Sequence, residues 1–238
     1  MDRGLWISWY DLSKENRNEY LSWLHERYLP DIVKRPDVAW AAHYAAEQMT
    51  APGRLAHTDD ASVPKGGDYI LLIGAETAHA FSPPRPGETY SPVTKVDDRM
   101  RALRSGERVS IMTEQARADG PAAMKHTGPG PSRCIQLGSF NAGPNEGDDD
   151  ELLAWYARWR LPCMEKLPGL VRVRKLVGVS GWSHHGVLYE FTSLEERNTY
   201  FPPHEKPYPE LEKWTDKVVR RLNHAPRSPH VAQRLWPA

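Results

Sequence analysis

An internal repeat constrains this chain more than any other feature. Trp23, Pro30 and Pro36 in WLHERYLPDIVKRP recur as Trp155, Pro162 and Pro168 in WYARWRLPCMEKLP, and all three pairs share an offset of 132 residues. Further on, Phe81-Ser82-Pro83-Pro84 with Tyr90 is paralleled by Phe201-Pro202-Pro203 with Pro207 and Tyr208, now at an offset of 120. The second copy is therefore shorter between its two motifs. A repeat of about 105–115 residues is long enough to be a domain. It also accounts for much of the proline content, 21 of 238 residues, where about 5% is usual. The stretch from Gln115 to Ser132, QARADGPAAMKHTGPGPS, is small, polar and broken by Gly and Pro, as a surface linker is. We expect a first repeat over 1–118, a linker over 119–132 and a second repeat over 133–238.

Composition excludes several classes. Apolar residues make up only 39% of the chain, but nine Trp and ten Tyr supply enough aromatic surface to argue against simple disorder. Thirty-one basic residues balance thirty-one acidic ones, so no net field favours nucleic acid or an anionic membrane. No apolar run approaches the roughly 18–20 residues of a membrane span, and MDRGLWISWY lacks a signal-peptide layout. Cys134 and Cys163 make neither a disulfide framework nor a zinc set and suit a reducing compartment. The expectation is a soluble cytoplasmic protein.

Each copy carries the same order of signals. A short strand, Leu5 to Tyr10 or Cys134 to Phe140, is followed by an amphipathic helix, about Lys14 to Lys34 or from Asp148 onward. Strands over Val38 to Ala45 and Tyr69 to Ala75 match Leu170 to Val177 and Gly186 to Thr192. After the Pro-rich loop come a helix, Lys95 to Arg104 or Leu211 to Asn223, and a last strand, Arg108 to Thr113 or His230 to Leu235. The order βαββαβ is that of the ferredoxin-like split unit. An α+β fold follows, in which two tandem units pack their antiparallel sheets as one intramolecular α/β barrel. Order, tandem copies and helices ending in Leu-Pro resemble the dimeric α/β-barrel superfamily, and within it the EthD-like branch. That branch has His-x-Pro where this chain has Tyr28 and Arg160 before Leu-Pro.

Strand alternation assigns the faces. Leu5, Ile7, Ile135 and Leu137 read as packing beneath helices, leaving Trp6, Tyr10 and Gln136 for the inner space. In the second strands Ala39, Ala41, Val171 and Val173 take the helix side, leaving Trp40, Tyr44, Arg172 and Arg174 inside. In the third strand of copy two the inner set is His184, Leu188 and Glu190. An aromatic wall of Trp6, Tyr10, Trp40 and Tyr44 then faces a polar wall of Gln136, Arg172, Arg174, His184 and Glu190, which suits a flat, oxygenated organic molecule. Arg172 and Arg174 would stabilise an oxyanion, and His184 or Glu190 would move protons. The structural alternative is an Arg/Glu ion-pair network that ties the sheets together. His25, replaced by Ala157 in copy two, is either solvated or reaches the barrel mouth to bind substrate, and His43 reads as a polar residue at a strand end.

No Walker, Rossmann, His-Glu-x-x-His or Gly-x-Ser-x-Gly signature occurs, and no metal site is expected. The Pro-rich loops read as rigid connections rather than partner ligands. By resemblance, the leading function is an enzyme without a tightly bound cofactor. It would act on a small aromatic or polyketide-like compound by cyclisation, isomerisation, dehydration or cofactor-free oxygenation. Two alternatives stay open: a haem protein similar to chlorite dismutases, with His184 or His43 as axial ligand, and a non-catalytic binding or accessory protein. A homodimer is compatible with the fold, although duplication removes the need for one.

Overall fold

Eight strands close into one antiparallel barrel. The computed structural model describes residues 2–48, 53, 55–82 and 95–238. The first half contributes β1 (Gly4–Asp11), β2 (Trp40–Ala46), β4 (Tyr69–Ala75) and β5 (Ser105–Asp119). The second contributes β6 (Cys134–Asn141), β7 (Leu170–Ser180), β8 (His185–Phe191) and β10 (His230–Trp236). The first half runs β2-β4-β1-β5 and the second β7-β8-β6-β10, the same spatial order of equivalent strands. Two seams join them: β5 pairs with β7, and β10 pairs with β2. Edge pairing closes the barrel, which satisfies the backbone groups that two open sheets would leave bare. A short parallel pair, β3 (Ala56–His57) and β9 (Asn223–His224), is attached beside β6.

Helices cover the outside. Residues 17–32 form one helical run, with α1 (Arg17–Trp23) and α2 (Leu29–Ile32) joined by a π-helical turn, Leu24–Tyr28. In the second half α4 (Asp148–Trp155), a π turn (Tyr156–Arg160) and α5 (Leu161–Met164) repeat that arrangement. The proline after each π turn lacks the N–H that would continue a regular ladder, and π turns of this kind often mark functional sites. Also present are α3 (Lys95–Arg101), α6 (Leu194–Tyr200) and α7 (Pro209–Val219). Among the described residues no helix is long and apolar enough to cross a membrane. Pro83, Pro84 and Tyr90 of the first Pro-rich loop lie outside the described residues.

Three apolar clusters result, one inside the barrel and one beneath each helical layer. The inner cluster contains Leu5, Ile7, Trp9, Ile135 and Leu137, so the expected facing of β1 and β6 is reversed. Trp6 and Tyr10 pack in the first helical layer. Gln136 also faces outward, where its Oε1 accepts a 3.0 Å hydrogen bond from Arg197 Nε on α6. The physical reason is that a barrel under helices buries both strand faces. Alternation of apolar and polar residues then loses its contrast, and the aliphatic set fills the narrower interior. In β2 and β7 the expected facing holds: Trp40, Ala42, Tyr44 and Leu176 are inside, while Ala41 and Val173 lie under helices. His184 lies in the turn before β8, exposed, with its backbone N–H on Asn141 Oδ1 at 2.7 Å. The polar stretch from Gln115 opens as strand, because β5 continues to Asp119 and residues 116–119 pair with β7.

Candidate active site

The richest constellation of titratable groups lies between the first sheet and its helix. The π turn carries His25 over β2, where its Nε2 meets His43 Nδ1 at 2.8 Å. His43 Nε2 lies 2.8 Å from the Tyr10 hydroxyl on β1. His43 is sealed from solvent and lies nearly parallel to the rings of Tyr10 and Tyr69, whereas His25 is only half-buried. Beside Tyr10 stands Tyr20 of α1, whose hydroxyl accepts a 2.6 Å bond from Arg104 Nε. The Arg104 guanidinium also sits 4.7 Å from the centroid of the Tyr10 ring and pairs with Glu107 at 2.7 Å.

Burial sets the charge states. Desolvation holds His43 well below the ordinary histidine range, with the fields of His25 and Arg104 adding to the effect. Burial lowers His25 as well, so both rings are neutral near pH 7. Burial also pushes the Tyr10 and Tyr20 phenols up. Each neutral imidazole has one N–H and one lone pair. The chain His25–His43–Tyr10 thus has two hydrogen-bond polarities, and when His25 donates to His43 its Nδ1 lone pair is left as an acceptor.

At the aligned position of the second half, Lys175 replaces His43. Its ammonium lies 2.8 Å from Leu176 O and 3.0 Å from His185 Nδ1, and His185 Nε2 meets Asp149 at 2.6 Å. Desolvation pulls Lys175 down to about 7. Arg160, aligned with Tyr28, turns inward to pair with Glu205 at 2.8 Å and to donate to the Tyr189 hydroxyl at 2.8 Å. The two halves therefore place different titratable groups at these aligned positions.

The expected barrel-lining set does come together in part. Arg172, Arg174 and Glu190 share the inward face, with Trp40 and Tyr44 nearby, but each is bonded to a protein group outside this set. Arg174 holds Glu114 at 2.5 Å and Asp2 at 3.1 Å, while Arg117 bridges the same two carboxylates at 2.7 and 2.9 Å. Trp40 donates to Asp2 at 2.7 Å, and Tyr44 to Ser132 O at 2.9 Å. Arg172 pairs with Asp119 at 2.9 Å. Burial pushes the Glu190 carboxyl up; one oxygen takes the Ser132 N–H and the other has no hydrogen-bond partner among the described residues. This is the ion-pair alternative, a clamp across the β5–β7 seam.

Haem does not fit the two histidines expected to hold it. Both nitrogens of His43 are engaged and its ring is packed beside those of Tyr10 and Tyr69. His184 projects from an exposed turn, away from the inner cluster.

The sequence offered His43 as a polar strand-end residue or a haem ligand, not as a member of a relay with His25 and Tyr10, and Arg104 only as the end of a helix. The available signal was divergence between copies, His25 against Ala157 and His43 against Lys175.

The sequence matches no family model and no curated protein. Solved structures do share the architecture. An anthrone oxidase-like protein is 12% identical with a TM-score of 0.65, over 98% of this chain and 91% of that one. A candidate monooxygenase from Fusobacterium nucleatum is 11% identical with a TM-score of 0.62, over 98% and 93%. A candidate chlorite dismutase is 14% identical with a TM-score of 0.50, over 98% and 94%. The shared property is the fold, a dimeric α/β barrel.

Proposed function

We propose that the protein is a small-molecule enzyme in which His25, backed by His43 and Tyr10, abstracts a proton from an aromatic, polyketide-like substrate during cofactor-free oxygenation. The proposal includes descent of both halves from one duplicated, EthD-like unit. The observation that carries it is the unbroken hydrogen-bonded chain from half-exposed His25 to fully buried Tyr10. The anthrone oxidase-like and monooxygenase-like fold neighbours support this chemistry over cyclisation or dehydration.

An anthrone-type methylene, flanked by two aromatic rings and conjugated through them with the carbonyl across the ring, is acidic enough for a neutral imidazole to act on. His25 Nδ1 takes one methylene proton, and the bond from Nε2–H to His43 stabilises the resulting imidazolium. The carbanion reduces dioxygen and combines with it to give a hydroperoxide, whose terminal oxygen receives the proton back from His25. Loss of the second methylene hydrogen with the departing hydroxide releases water and leaves a carbonyl. One substrate and one O2 thus give one quinone and one water. Arg104 and Tyr20 pack against the Tyr10 ring behind the relay.

Aerobic incubation with an anthrone, following quinone absorbance and oxygen uptake, tests this reading. His25→Gln should slow turnover by about 10²-fold or more, the usual worth of a general base. Wild-type protein that consumes no anthrone, or a His25→Gln variant at full rate, would refute it.

A further inference from the structure

One end of the barrel interior gathers buried polar atoms that have no partners. Trp9 and Arg108 are direct neighbours across β1 and β5, and His230 on β10 pairs with the inward-facing Leu137. Ser139, two residues beyond Leu137 on the same face, bonds through its backbone N–H to Ser228 near His230. Four side chains, all at least nine-tenths buried, thus meet from β1, β5, β6 and β10. The Arg108 guanidinium lies 4.5 Å from the Trp9 ring centroid, and the Trp9 and His230 rings are 6.5 Å apart. Among the described residues, Trp9 Nε1, Arg108 Nε and Nη2, Ser139 Oγ and both nitrogens of His230 have no hydrogen-bond partner.

The free atoms of Arg108 form a specific pattern. Its Nη1 is anchored on Gly66 O at 2.8 Å, which leaves Nε and Nη2, the side-on fork that matches the two oxygens of a planar oxyanion. Asp11, the acid whose field it feels, is instead paired with Arg227 and with the backbone of Gly67 and Asp68. Burial and the neighbouring Arg227 accordingly pull Arg108 down to about 9, and Arg108, Arg227 and His57 all disfavour a charged His230. A buried guanidinium without an anion, among donors without acceptors, is an incomplete arrangement. Gly67 seals this end closely: a Cβ there would lie 2.5 Å from His230 Nε2.

We infer that this end of the barrel is a binding site for a planar carboxylate-type oxyanion, held by the Arg108 fork with Trp9, Ser139 and His230 as further donors. The closed surroundings favour a free anion the size of formate or acetate over the carboxylate of a larger molecule. The site lies inside the barrel, whereas His25 and His43 lie outside it beneath a helix, so it does not depend on the proposed reaction.

Thermal unfolding of the full chain in formate, acetate, benzoate or chloride at equal ionic strength tests the inference, with calorimetric titration giving Kd. Formate and acetate should raise Tm by about 5–10 °C at roughly 100 Kd, with little effect of chloride. The shift should vanish in Arg108→Met. In Trp9→Phe, which keeps a ring and removes the N–H, the Kd should rise several-fold. A benzoate effect lost in Arg108→Met would support the same fork holding the carboxylate of a larger ligand. Equal shifts with formate and chloride, or no calorimetric binding of any carboxylate, would mean that water alone fills the site and overturn the inference. An unchanged Kd in Trp9→Phe overturns it even if Arg108→Met does not fold.

Discussion

At the scale of single residues, histidine burial dominates the response of this protein to acid. Burial lowers His25, His43, His185, His204 and His230 in the folded state, and it takes His224 down to about 4. In the unfolded chain each titrates near 6.5. As pH falls below 6.5 the unfolded state binds protons that the folded state refuses, so folding stability declines. His224 alone accounts for about 3 kcal/mol by pH 4 on this basis. Urea midpoints at pH 7.5, 6.0 and 5.0 should fall progressively, and His224→Gln should flatten the decline; a midpoint constant over that range would contradict the assigned burial. Tyr10→Phe acts differently, leaving buried His43 Nε2 without its partner at a cost of about 1–3 kcal/mol and slowing anthrone turnover. Tyr10 was recognisable in the sequence as an aromatic of interest, but on the wrong face. His43 was legible only as a polar strand-end residue or a haem ligand, since nothing in HYAAE says that a helix covers it.

Among the elements, the β5–β7 seam shows how charged strands are held together. Arg174 is 1% exposed and bound to Glu114 and Asp2, so removing it leaves two largely buried carboxylates with Arg117 as their one shared cation. Arg174→Met should cost about 3–5 kcal/mol, whereas Arg174→Met with Glu114→Leu should recover part of that loss. Chemical denaturation of the single and double variants measures the difference. A double variant no more stable than the single one would contradict the clamp. The alternation in β7 was readable because arginines and valines differ sharply, and β8 carried the same contrast between Glu190 and its neighbours Tyr189 and Phe191. In β1 and β6 both faces are apolar enough for either assignment, and only closure of the barrel selected Leu5, Ile7 and Trp9 for the inside. Extension of β5 to Asp119 was hidden for a related reason. Gln115 to Asp119 read as polar linker, yet the free edge of β7 offers that stretch a full set of backbone partners.

For the whole molecule, two half-barrels complete each other's edges. Each half alone would expose one seam strand at either side, β2 and β5 or β7 and β10, together with its share of the aliphatic interior. Chains 1–127 and 128–238 co-expressed as separate polypeptides should therefore assemble one to one, as judged by co-elution and light scattering. Separate halves that are both monomeric and well folded, with no affinity for each other, would contradict this account.

By itself, the sequence determined the number, order and type of the main elements, because the repeat, the Leu-Pro helix ends and the strand composition are local properties repeated twice. From these came the α+β class and the closed barrel. Tertiary structure alone decided which face of β1 and β6 turns inward, that the ion pairs of Arg174 are internal, and that His25, His43 and Tyr10 touch. Those outcomes depend on contacts between residues far apart in the chain, where a closed barrel buries both faces of each strand and gives every polar group a partner or leaves it without one. Trp9, Arg108, Ser139 and His230 belong to the second case: four unrelated positions in the sequence that only the curvature of the barrel brings to one point.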